Sequence, residues 1–210
     1  MKLSLVVGCL LGGLTGLAQG GVIAYDGTAF ANGIAYPPGP LAGMGPALGF
    51  AAPWNADAGV QVNLGTLSSF LALPSTGNSV GGFFDSVGPL STSLAPAPGT
   101  EFWASFLVEH TAPNDQTYMG LSPAGAVLGT PPSTASGVRL GQYGIFIGAT
   151  FFPSLVPFTP AGSTDFLVTR YQASGGTWLA SLFVNPTSFA VPDLVLNVPG
   201  VTFGSMVNQN

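Results

Sequence analysis

One stretch restricts the fold of this chain more than any other. It consists of Asp165-Phe-Leu-Val-Thr-Arg-Tyr-Gln172, the four residues Ala-Ser-Gly-Gly176, and Thr177-Trp-Leu-Ala-Ser-Leu-Phe-Val-Asn-Pro186. In the second half Trp178, Ala180, Leu182 and Val184 fall on one face, and Thr177, Leu179, Ser181 and Phe183 on the other. A repeat of two residues is the signature of a half-buried antiparallel strand. The stretch therefore predicts two long strands joined by a four-residue turn in which Gly175 and Gly176 supply positive φ angles. An isolated hairpin cannot bury its apolar face, so a second sheet has to lie over it.

The rest of the chain agrees with an all-β fold. Strand candidates are Gly21–Asp26, Val60–Leu64, Thr66–Leu73, Val80–Phe84, Glu101–Glu109, Thr117–Leu121, Val138–Ile147 and Val201–Met206. In Glu101–Glu109, Phe102, Ala104, Phe106 and Val108 are expected to face the core, with Trp103, Ser105, Leu107 and Glu109 facing away. Residues 27–58 read as a long loop punctuated by Pro37-Pro38-Gly39-Pro40, Pro46 and Pro53, and Pro89–Gly99 as a crossover between sheets. The 31 glycines and 19 prolines are turn residues between short strands. With 15 Phe and a mean hydropathy of +0.50, the chain is far too apolar to be disordered.

Met1-Lys2 and the apolar run Leu3–Leu17, followed by Ala18-Gln19-Gly20, have the layout of a secretory signal peptide cut after Gly20. This predicts residues 1–20 as a signal-peptide helix and residues 21–210 as one β-sandwich domain, secreted to the extracellular space. Val6-Val7-Gly8-Cys9 also matches a bacterial lipobox, and lipidation of Cys9 is the alternative. Removing Lys2 leaves Arg139 and Arg170 against eight carboxylates, and the net charge moves from −5 to −6. Nucleic acid and anionic membrane surfaces are excluded as partners on that balance.

Tyr25-Asp26-Gly27-Thr-Ala-Phe30, Pro74-Ser-Thr-Gly-Asn-Ser79, Glu101-Phe-Trp-Ala-Ser-Phe-Leu107 and the pairing of Phe166–Arg170 with Trp178–Pro186 form a pattern. Over roughly residues 22 to 206 it resembles the concanavalin A-like (LamG-like) jelly rolls of secreted bacterial proteins. The resemblance implies a jelly-roll sandwich of two antiparallel sheets. One branch of that family comprises glucanases, which carry a Glu-x-Asp-x-x-Glu strand. Here no two carboxylates stand closer than six residues apart, and Glu101 and Glu109, on one face of one strand, would be about 27 Å apart. Retaining hydrolysis needs carboxyls about 5 Å apart, so no enzyme and no catalytic residue is expected.

His110, the sole histidine, reads as a solvated turn residue. No cofactor is expected. Asp26 and Asn114-Asp115 are the residues a Ca2+ site would draw on, although an Asx turn explains the latter pair without metal. For ligand binding the candidates are Trp54, Asn55, Asp57 and Tyr118, an aromatic plate with polar neighbours suited to a glycan. The competing reading has Trp54 capping one end of the core. Arg170, on a central strand, is expected to pair with a carboxylate or cover apolar surface with its stem. The sequence thus predicts a secreted, non-catalytic module that binds a polysaccharide or other extracellular polymer. A self-associating structural protein and a divergent glycoside hydrolase are the alternatives.

Overall fold

The computed structural model describes residues 2–4, 36–63, 79–81, 85–109, 112 and 116–209, with backbone alone for Lys2–Ser4, Ser79–Gly81 and 208–209. Its strands are β1 (Lys2–Ser4), β2 (Gly39–Pro40), β3 (Asn55–Ala56), β4 (Gln61–Asn63), β5 (Ser79–Gly81), β6 (Asp85–Leu94), β7 (Glu101–Glu109) and β8 (Gln116–Ser122). They continue as β9 (Thr134–Arg139), β10 (Gln142–Ile147), β11 (Thr150–Pro153), β12 (Thr164–Ser174), β13 (Thr177–Val184), β14 (Leu194–Val198) and β15 (Phe203–Gln209). All pair antiparallel, in one sheet ordered β14-β13-β12-β7-β1-β5-β4-β2 and another ordered β11-β10-β9-β8-β15-β6-β3. The protein is an all-β, sandwich-like structure. In the first sheet the four long strands β14, β13, β12 and β7 form the body, and the four short ones extend it.

Strand β12 fixes the geometry. It pairs with β7 from Thr164↔Glu109 to Gln172↔Glu101, and with β13 from Leu167↔Val184 to Ser174↔Thr177. This register sends Phe106, Leu167 and Val184, and then Phe102, Tyr171 and Ala180, to the same inner face, where all join one core with Met119, Ile145, Phe203 and Met206 of the other sheet. Trp178, the second residue of β13, is fully buried in this core. Its ring stacks on Phe203 at 5.5 Å and meets Phe102 edge-on at 5.2 Å. Its indole N–H donates to Val201 O at 3.0 Å, the partner a buried indole requires.

The described segments correct several expectations. The β12–β13 hairpin turns in two residues, because Ser174 pairs with Thr177 and only Gly175 (φ 57°) and Gly176 (φ 79°) lie between. Two positive φ values make a turn whose twist matches that of the flanking strands. Val138–Ile147 is two strands, β9 and β10, reversing at Leu140 (φ 50°) and Gly141 (φ 71°). Leucine at a left-handed position is uncommon, and that hid the turn. The Pro89–Gly99 segment is strand as far as Leu94. Ser205 pairs with Pro89, and the register shift between Phe203 and Ser205 marks an irregularity that accommodates the proline. β14, between Pro192 and Pro199, was not expected at all.

Of the expected signal peptide, Lys2–Ser4 are extended rather than helical. Paired to Leu107–Glu109, they satisfy backbone groups on the far side of β7. Residues 5–20 lie outside the described residues, as do the strands expected at 21–26 and 66–73, His110, and the calcium candidates Asp26 and Asn114-Asp115.

Candidate functional site on the outer face of the long strands

The four expected ligand residues are dispersed. Trp54 is 6% exposed and belongs to the core between the sheets, its ring 5.2 Å from Phe50. This is the capping arrangement, and it leaves no ring face for a sugar. Asn55 is exposed on β3. Asp57 Oδ2 accepts the Asp85 N–H at 3.1 Å while its own N–H donates to Asp85 O at 3.0 Å, so its carboxylate ties the end of β3 to the start of β6. Tyr118 is buried on the opposite face of its sheet, 4.2 Å from the Phe146 ring. Burial first, and then the charge of Asp85, push its hydroxyl up to about 12. Trp54 and Tyr118 therefore cannot serve one site.

Asp57, just after β3, and Asp85, at the start of β6, are joined through their backbones and the Asp57 carboxylate. Each accepts a backbone N–H, Asp85 Oδ2 from Gly129 at 2.7 Å. Among the described residues no three His, Cys, Asp or Glu side chains group as metal ligands. Gly77-Asn78-Ser79-Val80-Gly81 carries the Gly-x-Ser-x-Gly spacing of a nucleophile elbow, which the sequence reading missed. Ser79, however, opens strand β5 with Asn63 as its partner, whereas an elbow needs a sharp strand-to-helix turn.

A different array emerges from β7, β12 and β13. The parity that sends Phe102 and Tyr171 inward sends Glu101, Trp103, Arg170 and Gln172 outward, with Gln172↔Glu101 and Arg170↔Trp103 as direct neighbours. Glu101 is the acceptor of the group. Its Oε2 takes hydrogen bonds from Arg170 Nη2 and Gln172 Nε2, both at 2.9 Å, and its Oε1 from Trp103 Nε1 at 3.1 Å. The Arg170 guanidinium also lies 5.4 Å from the Trp103 ring centroid, within cation–π range. Desolvation alone would raise the Glu101 carboxyl, but the hydrogen bond and charge of Arg170, with the Trp103 and Gln172 donors, outweigh it and hold the group below its usual range. The ion pair is roughly one-third exposed on both sides, so it orients side chains more than it stabilises the fold.

The array rests on an apolar floor. Trp103 stacks on Phe183 at 5.8 Å and meets Phe189 edge-on at 5.3 Å; Leu107, Phe166, Val168 and Phe183 are buried beneath this side of the sheet. Phe189 arrives on the 185–193 connection, which is tied at both ends. Asn185 (φ 47°) bonds Phe166 through N–H and Oδ1, and Asp193 Oδ2 accepts the Val184 N–H at 2.8 Å. Across the strands, Glu101, Gln172, Leu179 and Asn197 make one row, and Trp103, Arg170, Ser181 and Val195 the next. Such a row covers about 14 Å, three strand spacings. Chemically the surface offers a half-buried aromatic ring, a carboxylate and two amides, with its cation already engaged and the Ser181 hydroxyl buried. Trp103 was read from the sequence as outward-facing; what could not be read was that Arg170, 69 positions away from Glu101, closes the array. No family model matches the chain, and no curated protein matches its sequence.

Proposed function

We propose that this is a secreted concanavalin A-like jelly roll that holds a neutral polysaccharide, or another hydroxyl-rich extracellular polymer, on the outer face of β7, β12, β13 and β14, and performs no chemistry on it. The observation that carries this reading is the Glu101–Trp103–Arg170–Gln172 array. Sugars present flat C–H faces and hydroxyls, and the array pairs an aromatic ring with oriented acceptors and donors held by one another, which lowers the entropic cost of binding. Its cation is engaged by Glu101, and the negative net charge, −5 for the chain and −6 without Lys2, repels acidic polymers, so a neutral ligand fits best.

The test is retention of the protein on a panel of neutral and acidic insoluble polysaccharides. Trp103→Ala is expected to abolish retention on a neutral member while Trp54→Phe, a change inside the core, leaves it intact. Retention that survives Trp103→Ala and Glu101→Gln refutes the site. Release of soluble sugar from any member of the panel refutes the non-catalytic assignment.

A further inference from the structure

The four sheet edges are not protected alike. β2 and β3 have two residues each, β2 containing Pro40, and β11 has four and ends in Pro153. Short length and proline are the devices by which proteins blunt an edge. β14 uses neither. Leu194-Val-Leu-Asn-Val198 is the longest of the four, regularly paired to β13 from Trp178↔Val198 to Leu182↔Leu194, with no charge, proline or bulge. No described strand pairs with its other side. Val195, directly on this strand, is 44% exposed, and Asn197 is exposed as well.

We infer that β14 is a self-association edge, occupied by β14 of a second copy. Extended backbone is the required partner, because only another strand supplies matching donors and acceptors at this spacing. The segment suits its own antiparallel copy. A two-fold axis at Leu196 sets Leu194 opposite Val198 on the inner row and Val195 opposite Asn197 on the outer row, with no like charges facing. Pro192 and Pro199 bound the segment on either side and limit the pairing to these five residues, so the contact closes as a dimer. A two-fold axis perpendicular to the sheet keeps both outer faces on one side. The dimer then carries two Glu101–Trp103 arrays on a continuous surface, which raises avidity for a long polymer without any new contact. That last consequence rests on the proposed binding site; the dimer does not.

The experiment is sedimentation equilibrium of the full chain across a wide concentration range, without polymer. A reversible dimer is expected. Val195→Lys with Asn197→Lys, both exposed positions, puts like charges opposite each other twice and should raise the dimer dissociation constant about tenfold or more. Thr150→Lys on β11 should leave it unchanged. Amide exchange of residues 194–198 in the native chain should slow as concentration rises, a measurement that needs no variant. A native chain that stays monomeric, or a dimer indifferent to the paired lysines with no concentration-dependent protection at 194–198, overturns the inference.

Discussion

Trp178 and Trp103 sit on two strands of one sheet and have opposite fates. Trp178 faces inward, fully buried, with aromatic neighbours from both sheets and a backbone carbonyl for its N–H. Trp103 faces outward, half-buried on Phe183, with its N–H on the carboxylate of Glu101. The difference is one of parity, since adjacent residues on a strand point to opposite faces. The inner face is governed by packing and by the cost of any unmatched polar atom. The outer face combines a packed floor with polar groups that water, or a ligand, still reaches. Stability should therefore respond to inner-face changes, and the proposed polymer binding to outer-face ones.

The largest loss is expected for Trp178→Ala, about 3–5 kcal/mol by denaturant titration, as is usual for deleting a buried aromatic. An effect near that of Trp103→Ala would break the comparison. Next comes Asp165→Ala. Asp165 is a buried inner-face carboxylate that accepts hydrogen bonds from the Tyr143 hydroxyl (2.8 Å), Thr159 Oγ1 (2.7 Å) and Asn185 Nδ2 (2.7 Å). The substitution strands three donors and should cost about 2–4 kcal/mol. Buried Tyr171 supplies a pH test. Desolvation raises its hydroxyl to about 12 from 10.0, slightly offset by a long contact with Thr134. Its contribution is intact below pH 10 and drains away as pH climbs towards 12, because the unfolded chain releases the proton first. Tyr171→Phe should flatten that part of the stability–pH curve; an unchanged slope contradicts the burial argument. The smallest effect has the opposite sign. Thr169 is fully buried with an Oγ1 that has no hydrogen-bond partner among the described residues, so Thr169→Val should stabilise by about 1 kcal/mol. A loss would reveal a partner for the hydroxyl.

Much of this face assignment was legible without coordinates. Alternation in 101–109 separates inward from outward side chains correctly and alternation in 177–184 sorts the two faces correctly, while for Arg170 the sequence offers either a carboxylate partner or a stem laid over apolar surface, and the first is found. The errors have physical causes. Leu140 occupies a turn position that glycine or asparagine usually takes, so the β9–β10 reversal looked like continuous strand. Pro89 looked like a strand terminator, because nothing local announces the register shift on its neighbour β15. For Trp54, flanked by Asn55 and Asp57, a sugar platform and a core cap both fit the sequence, and burial bears out the cap; whether a loop tryptophan turns inward depends on a core assembled from distant segments. The Glu101–Arg170 contact was invisible for the same reason, since register between non-adjacent strands is a tertiary property.

One further consequence concerns digestion. The whole sequence contains three lysines and arginines, and each is held in a paired strand: Lys2 in β1, Arg139 at the end of β9 and Arg170 midway along β12. A trypsin-like protease must thread an extended, unpaired segment through its cleft, so in the folded protein the bond after Arg170, midway along β12 with β7 and β13 paired on either side, is not presented. Cleavage there has to wait for β12 to come away from its neighbours, and the rate of nicking after Arg170 becomes a clock for opening of the sandwich. That scarcity of cut sites amounts to protection written into composition and topology together.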